Sequence, residues 1–152
     1  MRKLALAGMV VAAPAAAEFP TQGHFDELRG CLDTFDNPVH CKGMIYDPCF
    51  ATLDTDLDPA TCFAGERAAW YEVIRDEFAE LEAEFARRDD ADGDGQRVET
   101  LHAAQRAWVA HRNADCAMRA ADAPDGARRV EASCTMGHTA DRAIELMTLR
   151  GE

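Results

Sequence analysis

Residues 101–116, LHAAQRAWVAHRNADC, put aromatic, amide and cationic side chains at the spacing of one helix face. At about 100° per residue, Gln105, Trp108 and Arg112 fall on the same side. A guanidinium four residues after an indole can lie over its ring, in a cation–π contact worth ~0.5–2 kcal/mol. The opposite side carries alanines at positions 103, 107, 110, 114 and 117. That side is either a close helix contact or a solvent face.

A preceding helix can supply partners for this polar face. In residues 62–78, Glu66, Trp70 and Glu77 lie on or beside the apolar side of the expected helix. We therefore predict a semi-buried polar layer whose members are Trp70, Gln105, Trp108, Arg112 and either Glu66 or Glu77. Such a layer fixes the register of two helices, or else it lines a recognition groove. The first role is favoured because buried polar groups need partners before they need ligands.

A second chemical pattern is the acidic stretch DDADGDG, residues 89–95. Asp90, Asp92 and Asp94 match positions 1, 3 and 5 of a calcium-binding EF-hand loop, and Gly95 matches position 6. Position 12 should be a bidentate Glu, but it is Leu101. The pattern leaves two hypotheses open, a calcium site at these three carboxylates or an Asp/Gly turn between helices.

The residues that could carry catalysis are few. Ser133 is the only serine and lacks the G-x-S-x-G context of a hydrolase nucleophile. His40 lies among cysteines, but their spacing is irregular for zinc. Carboxylate pairs such as Glu80 and Glu84 keep a peptidoglycan-acting hydrolase open as an alternative. We predict no catalytic residue and a protein that is not an enzyme.

The first 17 residues have the features of a secretory signal peptide. Arg2 and Lys3 precede a short apolar run at 4–13, and alanines at 15–17 form a small-residue cleavage site. The run is shorter than the ~20 residues that a membrane span needs, and no other stretch is long enough. We predict residues 1–17 as the signal peptide and a periplasmic or secreted location for residues 18–152.

Export to an oxidising compartment allows the cysteines to form disulfides. All six lie after the signal peptide, and an even number predicts three disulfides. Six cysteines allow 15 pairings, so the sequence alone does not select one. Pairing between neighbours is the simplest hypothesis: Cys31–Cys41, Cys49–Cys62 and Cys116–Cys134.

The remaining pattern is helical. Apolar residues at helical spacing predict helices at 21–35, 59–88, 97–121 and 127–149, with a short cysteine-bearing segment at 38–50 and no convincing strand. The fold class is therefore all-α, a small disulfide-stapled bundle with two long antiparallel helices, a C-terminal helix and a Cys-rich N-terminal helical segment. We expect one domain, residues 18–152, divided into the Cys-rich segment 18–58 and the bundle core 59–152.

The net charge of the chain limits the classes of partner that it can bind. The formal charge of −12 becomes −14 once the two basic residues of the signal peptide are removed. A strongly acidic surface repels nucleic acid and anionic lipid and attracts basic partners. We expect no nucleic-acid partner and no membrane span after signal removal. The oligomeric state is not predicted.

Residues 101–116 also resemble a known signature, L-x-x-A-Q-R-A-W-x-x-[FY]-R-[DN]-A-x-C, of the lysozyme-inhibitor LprI-like family of small exported bacterial proteins. His111 stands where the family has an aromatic residue. The family's C-x-x-x-E-x-x-A-W pattern is similar to residues 62–70, which contain Cys62, Glu66 and Trp70. Its later Cys, Thr and Arg match Cys134, Thr139 and Arg142.

The resemblance implies an all-α, disulfide-bonded, exported domain and a role in lysozyme inhibition. Two departures are the DADGDG insert, where the family has a short linker, and residues 74–78, where it has L-N-x-x-Y. We predict an exported, non-enzymatic binding protein whose candidate partner is a basic protein such as lysozyme. The candidate binding residues are Glu66, Trp70, Gln105, Trp108 and Arg112. No cofactor is expected unless calcium binds; the alternatives are a calcium-binding envelope protein and a peptidoglycan-acting hydrolase.

Overall fold

The computed structural model describes residues 22–53, 58–93 and 95–150, and the predicted signal peptide lies outside these ranges. Five α-helices follow one another in the described chain, and no strand occurs there. They are α1 (Gln22–Thr34), α2 (Tyr46–Thr52), α3 (Ala60–Asp92), α4 (Gln96–Ala121) and α5 (Ala127–Arg150), with a 3₁₀ turn at Pro38–Cys41. The all-α prediction is confirmed.

Helix α3 extends four residues beyond the predicted end at Arg88. It closes at Gly93, whose φ of 74° is the left-handed conformation that favours glycine after a helix. The charged run before this glycine is compatible with a helix, because charged side chains need only one solvated face. The other predicted bounds differ from the observed ones by a residue or two, and Thr21 lies outside the described residues.

Helix α3 is the centre of the molecule, and all four other α-helices pack on it or on each other. Along α3 and α4 the contacts run in opposite order, from Tyr71 with Arg112 to Asp89 with Arg97, so the two long helices are antiparallel as predicted. Helix α5 packs against both of them. Because α3 touches neighbours on several sides, its buried residues cover much of its circumference.

The core consists mainly of aliphatic and aromatic residues from α1, α3, α4 and α5. Its fully buried large side chains include Leu28, Trp70, Leu81 and Leu146. Burying each of these stabilises the fold by about 1.5–3 kcal/mol relative to exposure. The five alanines on the back of α4 are exposed, so that side of the helix is a solvent face.

Three disulfides join the elements, and the predicted pairing of neighbours is confirmed. Cys31–Cys41 ties α1 to the 3₁₀ turn, Cys49–Cys62 ties α2 to α3, and Cys116–Cys134 ties α4 to α5. The last closes a loop of 18 residues in sequence separation, worth on the order of 3 kcal/mol in the loop-entropy model. In the described ranges, no helix combines the length and hydrophobicity needed to cross a bilayer.

Candidate functional site

The five predicted binding residues do not form one polar layer. Glu66, which accepts a hydrogen bond from Trp70, binds the segment before α2. Arg112, which lies over the Trp108 ring, binds α3, and Gln105 binds α5. Each of the three groups is therefore a separate contact between elements. Periodicity predicted which residues share a helix face. However, α3 packs against four helices and α4 against two, so the polar side chains found partners on different neighbours.

Glu66 is a fully buried carboxylate that holds the segment between the 3₁₀ turn and α2. It accepts hydrogen bonds from the backbone N–H groups of Gly43 (2.7 Å), Ile45 (3.3 Å) and Tyr46 (2.8 Å). It also accepts one from Nε1 of Trp70 at 3.2 Å. These four donors replace the water that an ionised carboxylate would otherwise lose on burial. Glu66 and Trp70 therefore act as an anchor for the N-terminal segment.

Arg112 links α4 to α3. Its guanidinium carbon lies 4.8 Å from the ring centroid of Trp108, which confirms the predicted cation–π contact. The same carbon is 5.5 Å from the ring centroid of Tyr71, and Nη1 donates to the Tyr71 hydroxyl. Nε and Nη2 donate to Oδ1 of Asn113 at 3.1 and 2.8 Å. Arg112 is only 7% exposed, so these contacts are shielded from water.

The predicted carboxylate partner of Arg112 is wrong. Glu66 is occupied as described above, and Glu77 lies near the C-terminus of α5, where its Oε2 is 3.0 Å from Nε of Arg150. This is an ion pair by distance, but the N–H is not aligned for a hydrogen bond. The neutral partner Tyr71 was missed because it lies off the main apolar face of α3. In the sequence, the one feature that could have indicated Tyr71 as a partner of Arg112 is its position directly after Trp70.

Gln105 binds α5. Nε of Arg142 donates to Oε1 of Gln105 at 3.0 Å, and Nη1 of Arg142 pairs with Oε2 of Glu145 at 2.8 Å. Arg142 is buried, so the amide and the carboxylate supply the partners that its guanidinium needs. This contact joins α4 to α5 in the same way that Arg112 joins α4 to α3.

The acidic stretch lies at the turn between α3 and α4. Asp90 and Asp92 are in the last turn of α3, and Asp94 lies outside the described residues. Oδ2 of Asp92 is 2.5 Å from Nη2 of Arg97, so one of the three proposed calcium ligands already has a cation partner. Calcium binding stays a prediction.

Asp89, in the last turn of α3, caps the N-terminus of α4, a role that was not predicted from the sequence. Its carboxylate accepts the backbone N–H groups of Arg97 (3.2 Å) and Val98 (3.1 Å) and an Nη1–H of Arg97 (3.1 Å). Burial disfavours the charged form, but the bonds from Val98 and Arg97 outweigh it, and the pKa of Asp89 is below its usual 3.8. The turn thus uses a buried aspartate to satisfy otherwise unpaired N–H groups at a helix start.

A second unpredicted cluster bridges α4 and α5 beside the Cys116–Cys134 disulfide. Oδ2 of Asp115 accepts from Nε2 of His138 at 2.8 Å and from Nε of Arg119 at 2.9 Å. The hydrogen bonds from His138 and then Arg119 hold the pKa of Asp115 below its usual 3.8. The ring of His111 is in edge-to-face contact with that of His138. The sequence feature that could have indicated this cluster is the four-residue spacing of His111 and Asp115, one helical turn apart.

The turn between α4 and α5 and the start of α3 enclose a cavity of about 560 Å³ at one end of the bundle. The charged residues that line it are Asp58, Asp125, Arg128 and Arg129. Together with Asp122, which follows the last residue of α4, we call them the loop surface. Oδ2 of Asp58 is 3.3 Å from Nη1 of Arg128, whose side chain is 82% exposed. Asp122 and Asp125 are exposed, and neither has an ion-pair partner in the described part of the chain. This surface was not predicted from the sequence.

A family model described as "Lysozyme inhibitor LprI" matches residues 49–146. The match spans α3 and α4 completely and α5 nearly so, and it includes the loop surface and two of the three disulfides. No curated protein and no solved structure matches the chain.

Proposed function

The chain belongs to the lysozyme inhibitor LprI family, and we propose that it is an exported, non-enzymatic inhibitor that binds lysozyme. The observation that carries this proposal is the family match over residues 49–146, which covers the helical core. Export is supported by the signal-like first 17 residues and by the use of all six cysteines in disulfides.

Net charge supports a basic partner. The chain has 28 acidic and 16 basic residues, and a cationic enzyme would be attracted to it over a distance of about one Debye length, ~10 Å at 0.1 M salt. Such attraction raises association rates by about 10–10³-fold and weakens as salt increases. The proposed complex is therefore sensitive to ionic strength.

We assign the contact to the loop surface rather than to the residues expected from the sequence. Glu66 and Trp70 are fully buried and have structural partners, so they have no area to offer a protein partner. Arg112 is nearly as buried and is held by Tyr71. These residues support the fold, and the proposal keeps a binding role for none of them.

The loop surface has chemistry that suits a lysozyme. The unpaired carboxylates of Asp122 and Asp125 can pair with cations around the enzyme's cleft. Glycosidases cleave sugars with two carboxyl groups in that cleft, and the exposed guanidinium groups of Arg128 and Arg129 can reach acidic groups of this kind. Both contacts would block substrate without any reaction by the inhibitor.

The test is an assay of lysozyme activity on peptidoglycan with increasing amounts of the oxidised protein. We expect saturable inhibition that weakens when salt is raised from about 0.05 to 0.2 M. Asp122→Asn with Asp125→Asn should slow association by about 3–10-fold, and Arg128→Ala with Arg129→Ala should weaken inhibition further.

A matched control is Asp33→Asn with Asp36→Asn, which also removes two charges from exposed positions. Asp33 lies in the last turn of α1 and Asp36 just after it, outside the matched region. This pair should leave inhibition nearly unchanged. If both aspartate pairs have equal effects, net charge rather than the loop surface governs binding. If several lysozymes remain fully active with micromolar protein, the inhibitor proposal fails.

A further inference from the structure

Helices α3, α4 and α5 form a groove at the end of the bundle opposite the loop surface. Its cavity of about 510 Å³ lies within the range of about 300–1,000 Å³ that is typical of small-molecule sites. The apolar walls are Phe85, Leu101, Ala104 and Leu149. Leu101 is buried and Leu149 is exposed, so the groove extends from the core to the surface.

Arg142 lines the same groove and has donors that the protein does not use. The residue is only 6% exposed. Its Nε donates to Gln105 and its Nη1 to Glu145, whereas Nη2 donates no hydrogen bond to any residue in the described part of the chain. Nη2 is not enclosed by protein either, so it keeps access to the groove. A guanidinium group whose other nitrogens are held in place therefore presents free N–H groups to a ligand.

We propose that this groove binds a free medium-chain fatty acid, with its carboxylate on Arg142 and its alkyl chain along α4 and α5. A guanidinium and a carboxylate have opposite charges and can pair through two parallel hydrogen bonds. The apolar walls suit an alkyl chain. A peptide suits them less well, because each of its residues carries backbone polar groups for which these walls have no partner. The site is separate from the proposed lysozyme contact.

The groove has the length of such a chain. Arg142 and Leu149 are seven residues apart on α5, so they share a helix face and are separated by about 10.5 Å along its axis. Arg97 and Ala104 line the groove with the same spacing on α4. An extended chain advances about 1.2 Å per bond, so the carbon chain of decanoate covers about 11 Å. Decanoate is therefore the reference ligand.

Glu145 is the group that a ligand carboxylate replaces. Its Oε2 is 2.8 Å from Nη1 of Arg142, and its side chain is 58% exposed, so it can turn to solvent. The ligand then takes both Nη1 and Nη2. Arg97, the other cation of the groove, is paired with Asp89 and Asp92, so it contributes its charge without a contact assigned to it. Because the chain as a whole is acidic, we expect a modest affinity that depends on apolar contact and on this short-range pair.

The experiment is calorimetric titration of the oxidised protein with decanoate, below its micelle concentration and at about pH 7, where the carboxylate is ionised. We expect saturable binding of one decanoate per chain, with a dissociation constant of about 0.05–1 mM. Decyltrimethylammonium has the same alkyl chain and a positive head group. An acidic protein attracts this cation in general, but it should not displace decanoate from a groove that contains a buried guanidinium.

Three variants locate the contact. Glu145→Gln removes the competing carboxylate and should tighten decanoate binding by about 2–5-fold. Arg142→Lys keeps the positive charge but loses the paired donors, so it should weaken binding by at least about 10-fold. Ala104→Phe places a ring in the groove and should also weaken binding by at least about 10-fold. Ala104 is exposed, so its variant keeps the fold if Arg142→Lys does not.

The matched control is Ala107→Phe, the same substitution at an exposed position of α4 outside the groove. It should leave decanoate affinity unchanged. The proposal is overturned if no saturable binding occurs at millimolar decanoate, if decyltrimethylammonium displaces decanoate, or if Ala104→Phe and Ala107→Phe weaken binding equally. Weaker binding by Glu145→Gln would also contradict it, because Glu145 would then hold the ligand instead of competing with it.

Discussion

Removal of the Arg112 side chain tests how α4 is held against α3. The residue has three kinds of contact, a cation–π contact with Trp108, a hydrogen bond to the Tyr71 hydroxyl and two bonds to Asn113. The cation–π contact is worth ~0.5–2 kcal/mol and a hydrogen bond from a charged donor ~1.5–3 kcal/mol. The Asn113 amide is adjacent on the same helix and exposed, so water can replace that partner.

Arg112→Ala should therefore lower the free energy of unfolding by about 2–5 kcal/mol. This range begins lower than the ~3–5 kcal/mol for breaking a buried ion pair, because no carboxylate is left uncompensated. The assay is urea unfolding of the oxidised protein at constant pH. A double-mutant cycle with Tyr71→Phe should give a coupling energy of about 1–2 kcal/mol.

The control for this cycle is Arg106→Ala, which removes an exposed arginine from the same helix. It should change the unfolding free energy by no more than about 0.5 kcal/mol. If Arg112→Ala falls in that same range, or if its effect is additive with that of Tyr71→Phe, the contact does not hold the helices in register. A loss above about 5 kcal/mol would indicate a partner of opposite charge.

Two further substitutions have clear expectations. Glu66→Gln turns an amide N–H₂ toward backbone donors and should lower the free energy of unfolding by about 2–4 kcal/mol, with faster hydrogen exchange at the Tyr46 N–H. The surface control Glu80→Gln should lower it by less than about 0.5 kcal/mol, and an equally small loss for Glu66→Gln would contradict its role as an anchor. Because the folded pKa of Asp89 is depressed, its stabilisation is present above the unfolded pKa and lost as pH falls through the folded value. In urea unfolding, the free energy of unfolding of Asp89→Asn should therefore be lower than that of wild type at about pH 7, and the difference should be smaller near pH 2. Asp90→Asn is the control. An equal difference between wild type and Asp89→Asn at both pH values would refute the capping role.

The helices and their faces could be predicted because each depends on local spacing. Residues 101–116 put Trp108 and Arg112 on the inner side and the alanines outside, as a period of 3.6 residues requires. The disulfides could also be predicted from local spacing, because each cysteine pairs with its neighbour in the sequence, 10, 13 or 18 residues away. The end of α3 could not be located, because residues 89–92 are charged and satisfy either a helix or a turn.

The partners of the polar residues could not be predicted. A helix face says which side chains point inward, but not which of several neighbouring helices each one meets. Arg112 therefore met Tyr71 rather than Glu66 or Glu77, and Gln105 met Arg142. The loop surface and the Asp115 cluster combine residues from different helices, so no single stretch of sequence contains either pattern.

Calorimetric titration of lysozyme into the oxidised protein tests the proposed complex most directly. We predict a saturable complex of one to one stoichiometry at about 0.05 M salt, with weaker affinity at about 0.2 M and at both salts after Asp122→Asn with Asp125→Asn. The absence of a complex at low salt with several lysozymes, from protein whose three disulfides are intact, would contradict the account.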